Sequence, residues 1–140
     1  MTIPVWVLLG FALWTIAVLI AGIGIRRWAL ILTGRAQLVD FPADQPHGST
    51  AYRRAVRAHA NCVENLPVYG AVVFALSASQ TASATIDASA VVLLIARVCQ
   101  SLVHMSLPET NVTILIRFSF FAVQLAVMLT FIVMVMSHVI

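Results

Sequence analysis

The sequence predicts an all-α integral membrane protein, a four-transmembrane-helix bundle forming one domain over residues 1–140. Two observations predict it. First, 61% of the residues are hydrophobic and only 9% are charged, with a mean hydropathy of +1.01. A water-soluble domain of this size needs far more polar surface. Second, long apolar runs recur four times, each near the roughly 20 residues a helix needs to cross hydrocarbon. A crossing segment must satisfy its own backbone groups, and runs of this length do so as helices.

The elements follow in order. The first helix covers about residues 3–33. No basic segment precedes its apolar run, and Arg26 and Arg27 come after it, so it does not read as a signal peptide. The connection 34–50 carries Asp40, Pro42, Asp44, Pro46 and Gly48 and reads as a loop. The second helix, about 50–79, has Ser49 or Thr50 as its cap. A Ser/Thr/Ala-rich stretch, with Asp87 as its one charge, leads into the third helix, about 86–107. The short run 106–111 follows, and Thr110 or Asn111 caps the fourth helix, about 111–138.

Charge gives orientation. All eight basic residues are arginine, whose planar fork binds carboxylates in a way lysine cannot. Arg26, Arg27, Arg35, Arg53, Arg54 and Arg57 surround the 34–50 connection, which puts that loop in the cytoplasm and both termini outside. The expected setting is a bacterial inner membrane, multi-pass and in contact with membrane lipids. The pI near 9.5 does not imply nucleic acid, since no basic patch is interleaved with aromatics. Cys62 and Cys99 fall in apolar helices and read as packing thiols. No cluster has metal-ligand spacing, so no metal is expected.

The polar residues within the helices carry the functional signal, because charge inside a bilayer is costly. Arg54, Arg57, Asn61 and Glu64 recur at intervals of three and four, which puts them on one helix face. Arg97, Gln100 and His104 do the same on the third helix, and Arg117, Phe121 and Gln124 on the fourth. With the orientation above, all lie in the cytoplasmic half. Arginine exceeds carboxylate there, with Glu64 the one neutralising group expected, so the layer suits an anionic ligand with a smaller cationic part. Other readings stay open. Glu64 can pair with Arg97 or Arg57 and simply hold the bundle. Asn61 and Gln100 can be interhelical amides. His59 lies off the stripe, His104 can be interfacial, and Arg117 can snorkel to the surface.

The run Arg54, Arg57-Ala58-His59, Asn61, Glu64, Pro67 resembles the MAPEG family, membrane-associated proteins of eicosanoid and glutathione metabolism. Arg97, Gln100 and His104 are similar to its helix-three stripe, and the resemblance covers essentially the whole chain. It implies a homotrimer with glutathione bound as co-substrate between subunits, facing the cytoplasm. It implies a transferase or peroxidase acting on lipophilic electrophiles from the bilayer. Carried over residue by residue, Arg54, Arg57, His59, Asn61, Glu64, Arg97, Gln100 and His104 bind glutathione, and Arg117 stabilises its thiolate. This chain departs from the pattern in two places. His104 stands where the family usually has Tyr, and Arg117 lies thirteen residues past it, further than is usual. A member that binds glutathione or lipid without turnover is one alternative. A small proton-coupled transporter using Glu64 is another, and the arginines expected beside Glu64 argue against it.

Overall fold

A computed structural model describes residues 1–42 and 47–139. The readings placed on Asp44 and Pro46 lie outside the described residues. Four long helices account for the fold, and no strand occurs among the described residues. Helix α1 runs Ile3–Leu32, α2 Thr50–Ala78, α3 Ala84–Ser106 and α4 Asn111–Val139. Their ends fall within two residues of the sequence expectation, the usual latitude at a fraying terminus.

Helix α1 begins with Pro4 in its first turn, where a missing N–H costs nothing. It buries Pro4, Val7, Phe11, Thr15, Val18 and Gly22, at steps of three and four. The Thr15 hydroxyl donates to the Phe11 carbonyl at 2.9 Å, so its burial leaves no unmet donor. Within α1, Val18–Gly24 is wound as a π-helix. Gly22 there lies so close to α2 that a Cβ would stand 3.0 Å from Ala55 Cβ. Beyond this segment, Ile25–Leu32 buries no residue.

The helix ends are built from local chemistry. Gly34, at φ +67°, closes α1, with Arg35 N–H donating to Leu30 O at 2.9 Å and Gly34 N–H to Ile31 O at 3.0 Å. A short 3-10 turn, Leu38–Asp40, follows. Ser49 caps α2, its hydroxyl accepting from Tyr52 N–H at 3.3 Å. The far end of α2 repeats the α1 closure with a residue ill suited to it. Gln80 takes φ +55°, Thr81 N–H donates to Leu76 O at 3.1 Å and Gln80 N–H to Ser77 O at 3.3 Å. Ser83 caps α3 through Ile86 N–H at 3.2 Å, and Thr110 caps α4 through Thr113 N–H at 3.2 Å. Of the two residues expected to cap α4, Thr110 is the one that does.

Helix α3 contacts each of the other three helices. The main core joins Val7 and Phe11 of α1, Tyr69 and Val72 of α2, Leu93 of α3, and Met128 and Phe131 of α4. Tyr69 ties α2 to α1 by donating its hydroxyl to Pro4 O at 3.3 Å. A second cluster joins Ile23 of α1 to Tyr52 and Ala55 of α2. The outside is apolar too: Trp6, Leu13, Phe74, Leu115 and Val133 are all exposed. Among the described residues, three helices are long and apolar enough to cross a membrane, Ile3–Leu32, Ala84–Ser106 and Asn111–His138. The polar run from Arg53 to Asn65 holds α2 below the same mark.

Candidate functional site

The polar groups gather at one end of the bundle, where α2 and α4 begin and α3 ends. They form three tiers. The deepest is centred on Arg97, which is 1% exposed. Its Nη1 donates to Asn61 Oδ1 at 2.6 Å and reaches Asn61 O at 3.5 Å. Its guanidinium lies 5.1 Å from the centroid of the Phe11 ring, a cation–π contact. Its Nε and Nη2 are buried without a hydrogen-bond partner. One turn on, the Ser101 hydroxyl bonds Arg97 O at 3.0 Å and lies 3.4 Å from the Cys62 sulfur. Both cysteines are free.

The middle tier is built mainly of amides and imidazoles. Gln124 Nε2 donates to Gln100 Oε1 at 3.0 Å and to Phe120 O at 2.9 Å, joining α4 to α3. Gln100 is thus the interhelical amide that the sequence left open. His104 is buried, and its Nε2 has no partner. His59 is half-buried, and its Nδ1 is likewise without one. Arg54 donates from Nε to Met105 O at 3.3 Å, tying α2 to the end of α3.

The outer tier is charged. Glu109, in the short α3–α4 connection, accepts from Arg57 Nη1 at 3.2 Å and lies 3.9 Å from Arg117 Nη1. Their side chains are 45% exposed for Glu109, 68% for Arg57 and 22% for Arg117. Glu64 is exposed and makes no ion pair or hydrogen bond among the described residues.

Two sequence expectations need correcting. The expected neutralising carboxylate was Glu64, yet Glu109 takes that place. The arginines expected beside Glu64 are engaged elsewhere, Arg57 with Glu109 and Arg97 with Asn61. The α2 stripe also divides. At about 100° per residue, Arg57 and Glu64 lie roughly 40–60° to one side of Asn61, away from the core direction of Ala58, Cys62 and Tyr69. Asn61 therefore reaches Arg97, while Arg57 and Glu64 look out of the chain. Intervals of three and four share a broad face, and a broad face has an inner and an outer edge.

Sequence reasoning missed Glu109 and the anchoring roles of Phe11 and Ser101. A signal for Glu109 was present: it stands in the short connection that must bring the ends of α3 and α4 together. Phe11 had none, because one aromatic in an apolar run looks like any other. Among the described residues, no group of three His, Cys, Asp or Glu side chains is placed to hold a metal ion. A cleft of about 250 Å³ opens at the opposite end of the bundle, lined by residues including Thr2, Ser77, Thr81, Ile86 and Asp87. It is remote from the arginines. The model of the MAPEG family matches residues 4–137. No curated protein and no solved structure matches the chain.

Proposed function

The chain belongs to the MAPEG family, and from that premise we propose that it binds glutathione at the arginine-bearing end and presents its thiol to lipophilic electrophiles dissolved in the bilayer. The observation that carries this reading is the charge balance there. Arg54, Arg57, Arg97 and Arg117 share one end of the bundle, where among the described residues Glu109 is the one carboxylate that pairs with any of them, Arg57 and Arg117. A peptide with two carboxylates and one ammonium complements that excess.

Each residue then has a task. Arg57 takes a carboxylate and Glu64 the ammonium, both from the outer edge of α2. Since that edge looks away from its own bundle, the ligand lies between neighbouring copies, which supports a homotrimer. Arg97, enclosed within its chain, acts through Asn61: it fixes Oδ1 and so leaves Nδ2 as the donor offered to a peptide carbonyl. Arg54, His59, Gln100 and His104 line the same layer. Arg117 sits beside the thiol. A free thiol has a pKa of about 8.5, and a neighbouring cation lowers it, so more nucleophilic thiolate is present at neutral pH. The thiolate attacks the electrophile's carbon and displaces its leaving group. With a hydroperoxide it attacks the distal oxygen instead, giving an alcohol and a sulfenic acid that a second glutathione converts to disulfide and water. In this reading all four helices cross the membrane, and the arginine-bearing end faces the cytoplasm, as the positive-inside rule requires.

The test is titration of the detergent-solubilised protein with glutathione, followed by the ultraviolet absorbance of the thiolate. Saturable thiolate formation that Arg117→Leu removes, with affinity kept within a few-fold, supports the reading. A thiolate signal that survives that change refutes the role given to Arg117. A second reading, binding without turnover, is favoured by Glu109, which already offsets part of the Arg117 charge. It predicts saturable binding with no thiolate signal and no turnover of an activated aryl halide.

A further inference from the structure

We propose that Glu109 is a positioning residue that sets the acidity of the bound thiol through Arg117 and competes with the ligand for Arg57. The inference rests on the reading of Arg117 as the thiolate partner. Among the described residues, Glu109 is the one side chain that pairs with both arginines, and it comes from the connection that leads from α3 into α4, the helix that carries Arg117. Its carboxylate accepts from Arg57 Nη1 at 3.2 Å and stands 3.9 Å from Arg117 Nη1.

The two arms differ in kind. Arg57 has a 68% exposed side chain, so its arm is well screened by water and easily exchanged. A ligand carboxylate can replace Glu109 there at little cost. Arg117 is 22% exposed, so its arm is the less screened. At 3.9 Å the contact is also long, which leaves the guanidinium's other N–H groups available to a thiolate. Glu109 thus does two opposed things. It draws Arg117 toward the α3–α4 connection, and it cancels part of the charge that acidifies the thiol. An anion that shares a cation with another anion is stabilised less than one that has the cation to itself.

The sign of this effect separates it from a structural role. If Glu109 only braced the helices, neutralising it would loosen the site and weaken both glutathione affinity and thiolate formation. If it tunes the site, Glu109→Gln should raise the ratio of thiolate to thiol at neutral pH. Both arms are partly solvated, so the expected rise is about three- to tenfold, a shift of roughly half to one pKa unit in the bound thiol. Glutathione should also bind a few-fold more tightly, because Arg57 is no longer occupied. Glu109→Asp keeps the charge on a shorter arm and should fall between the two.

The experiment is a pH titration of thiolate absorbance with saturating glutathione, together with affinity at neutral pH, for wild type, Glu109→Gln and Glu109→Asp. A more acidic thiol and tighter binding in Glu109→Gln support the proposal. An unchanged or less acidic thiol, or weaker binding, overturns it while leaving the glutathione reading intact. A wild type that binds no glutathione overturns that reading, and this one with it.

Discussion

Replacing Arg97 by methionine should leave the ligand-free bundle within about 1 kcal/mol of wild type and still weaken glutathione binding about tenfold. The magnitude follows from the contacts of one side chain. Two of its nitrogens are buried without partners, at a cost of about 1–3 kcal/mol each, so roughly 2–6 kcal/mol stands against the native residue. In its favour is the charge-assisted bond to Asn61 Oδ1 at 2.6 Å, worth about 1.5–3 kcal/mol. The guanidinium over Phe11 at 5.1 Å adds about 0.5–2 kcal/mol. The two sides nearly cancel. Methionine has a similar length, no donors to leave unmet, and a polarisable sulfur that suits the Phe11 ring. Breaking a buried polar pair usually costs about 3–5 kcal/mol, because the abandoned partner is a charge. Here the partner is a half-exposed neutral amide. The loss on the binding side comes from Asn61, whose amide is no longer held. Thermal unfolding in detergent, with and without glutathione, measures both. A ligand-free loss above about 3 kcal/mol would show that Arg97 is retained for the fold. An undiminished stabilisation by glutathione would show that it does not orient Asn61.

Three further outcomes are expected. Gln124→Leu removes the side-chain hydrogen bond between α4 and α3 and should cost about 1 kcal/mol, with coupling to Gln100→Leu in a double-mutant cycle; additive losses would mean the 3.0 Å contact contributes nothing. Gln80→Gly relieves a left-handed residue at the end of α2 and should stabilise by about 0.5–1 kcal/mol, read as a higher unfolding midpoint; a lower midpoint would mean that the Gln80 side chain makes up for its backbone strain. Glu64→Ala should leave stability unchanged, since the side chain is exposed and unpaired, yet weaken glutathione several-fold. Unaltered affinity removes Glu64 from the site.

The fold was legible because its signals are one-dimensional. Apolar runs of membrane length, Ser49 before one helix and Thr110 before another are each read from a few adjacent residues. Much of the site was legible for the same reason, since the intervals within Arg97, Gln100 and His104 are local. The pairings between helices were not. That Arg97 meets Asn61, and that Gln100 meets Gln124, depends on how two helices are rotated about their own axes, and a stripe many degrees wide does not fix that rotation. Glu64 shows the limit best. It shares a periodicity with Asn61, yet it looks out of the chain, because the core direction of α2 is set by Ala58, Cys62 and Tyr69. The end of α2 was read from the Ser/Thr/Ala-rich run that follows it, and not from its closure, which uses Gln80 where glycine is the usual sign.

The π-wound segment Val18–Gly24 has a bearing on how the first helix can change over evolutionary time. A π-turn closes its hydrogen bond one residue later than an α-turn, so the segment holds one residue more than ordinary winding would. Removing one residue from it would let the helix run on in the ordinary winding, and the residues beyond would keep nearly their present headings. Arg27, whose Nε donates to the Tyr52 hydroxyl and whose guanidinium lies over the Phe41 and Tyr52 rings, would still face them. The same deletion in an ordinary turn would swing everything beyond by about 100° and draw it in by about 1.5 Å. Single-residue deletions should therefore be tolerated between Val18 and Gly24 and be rare in the α-wound turns on either side of it.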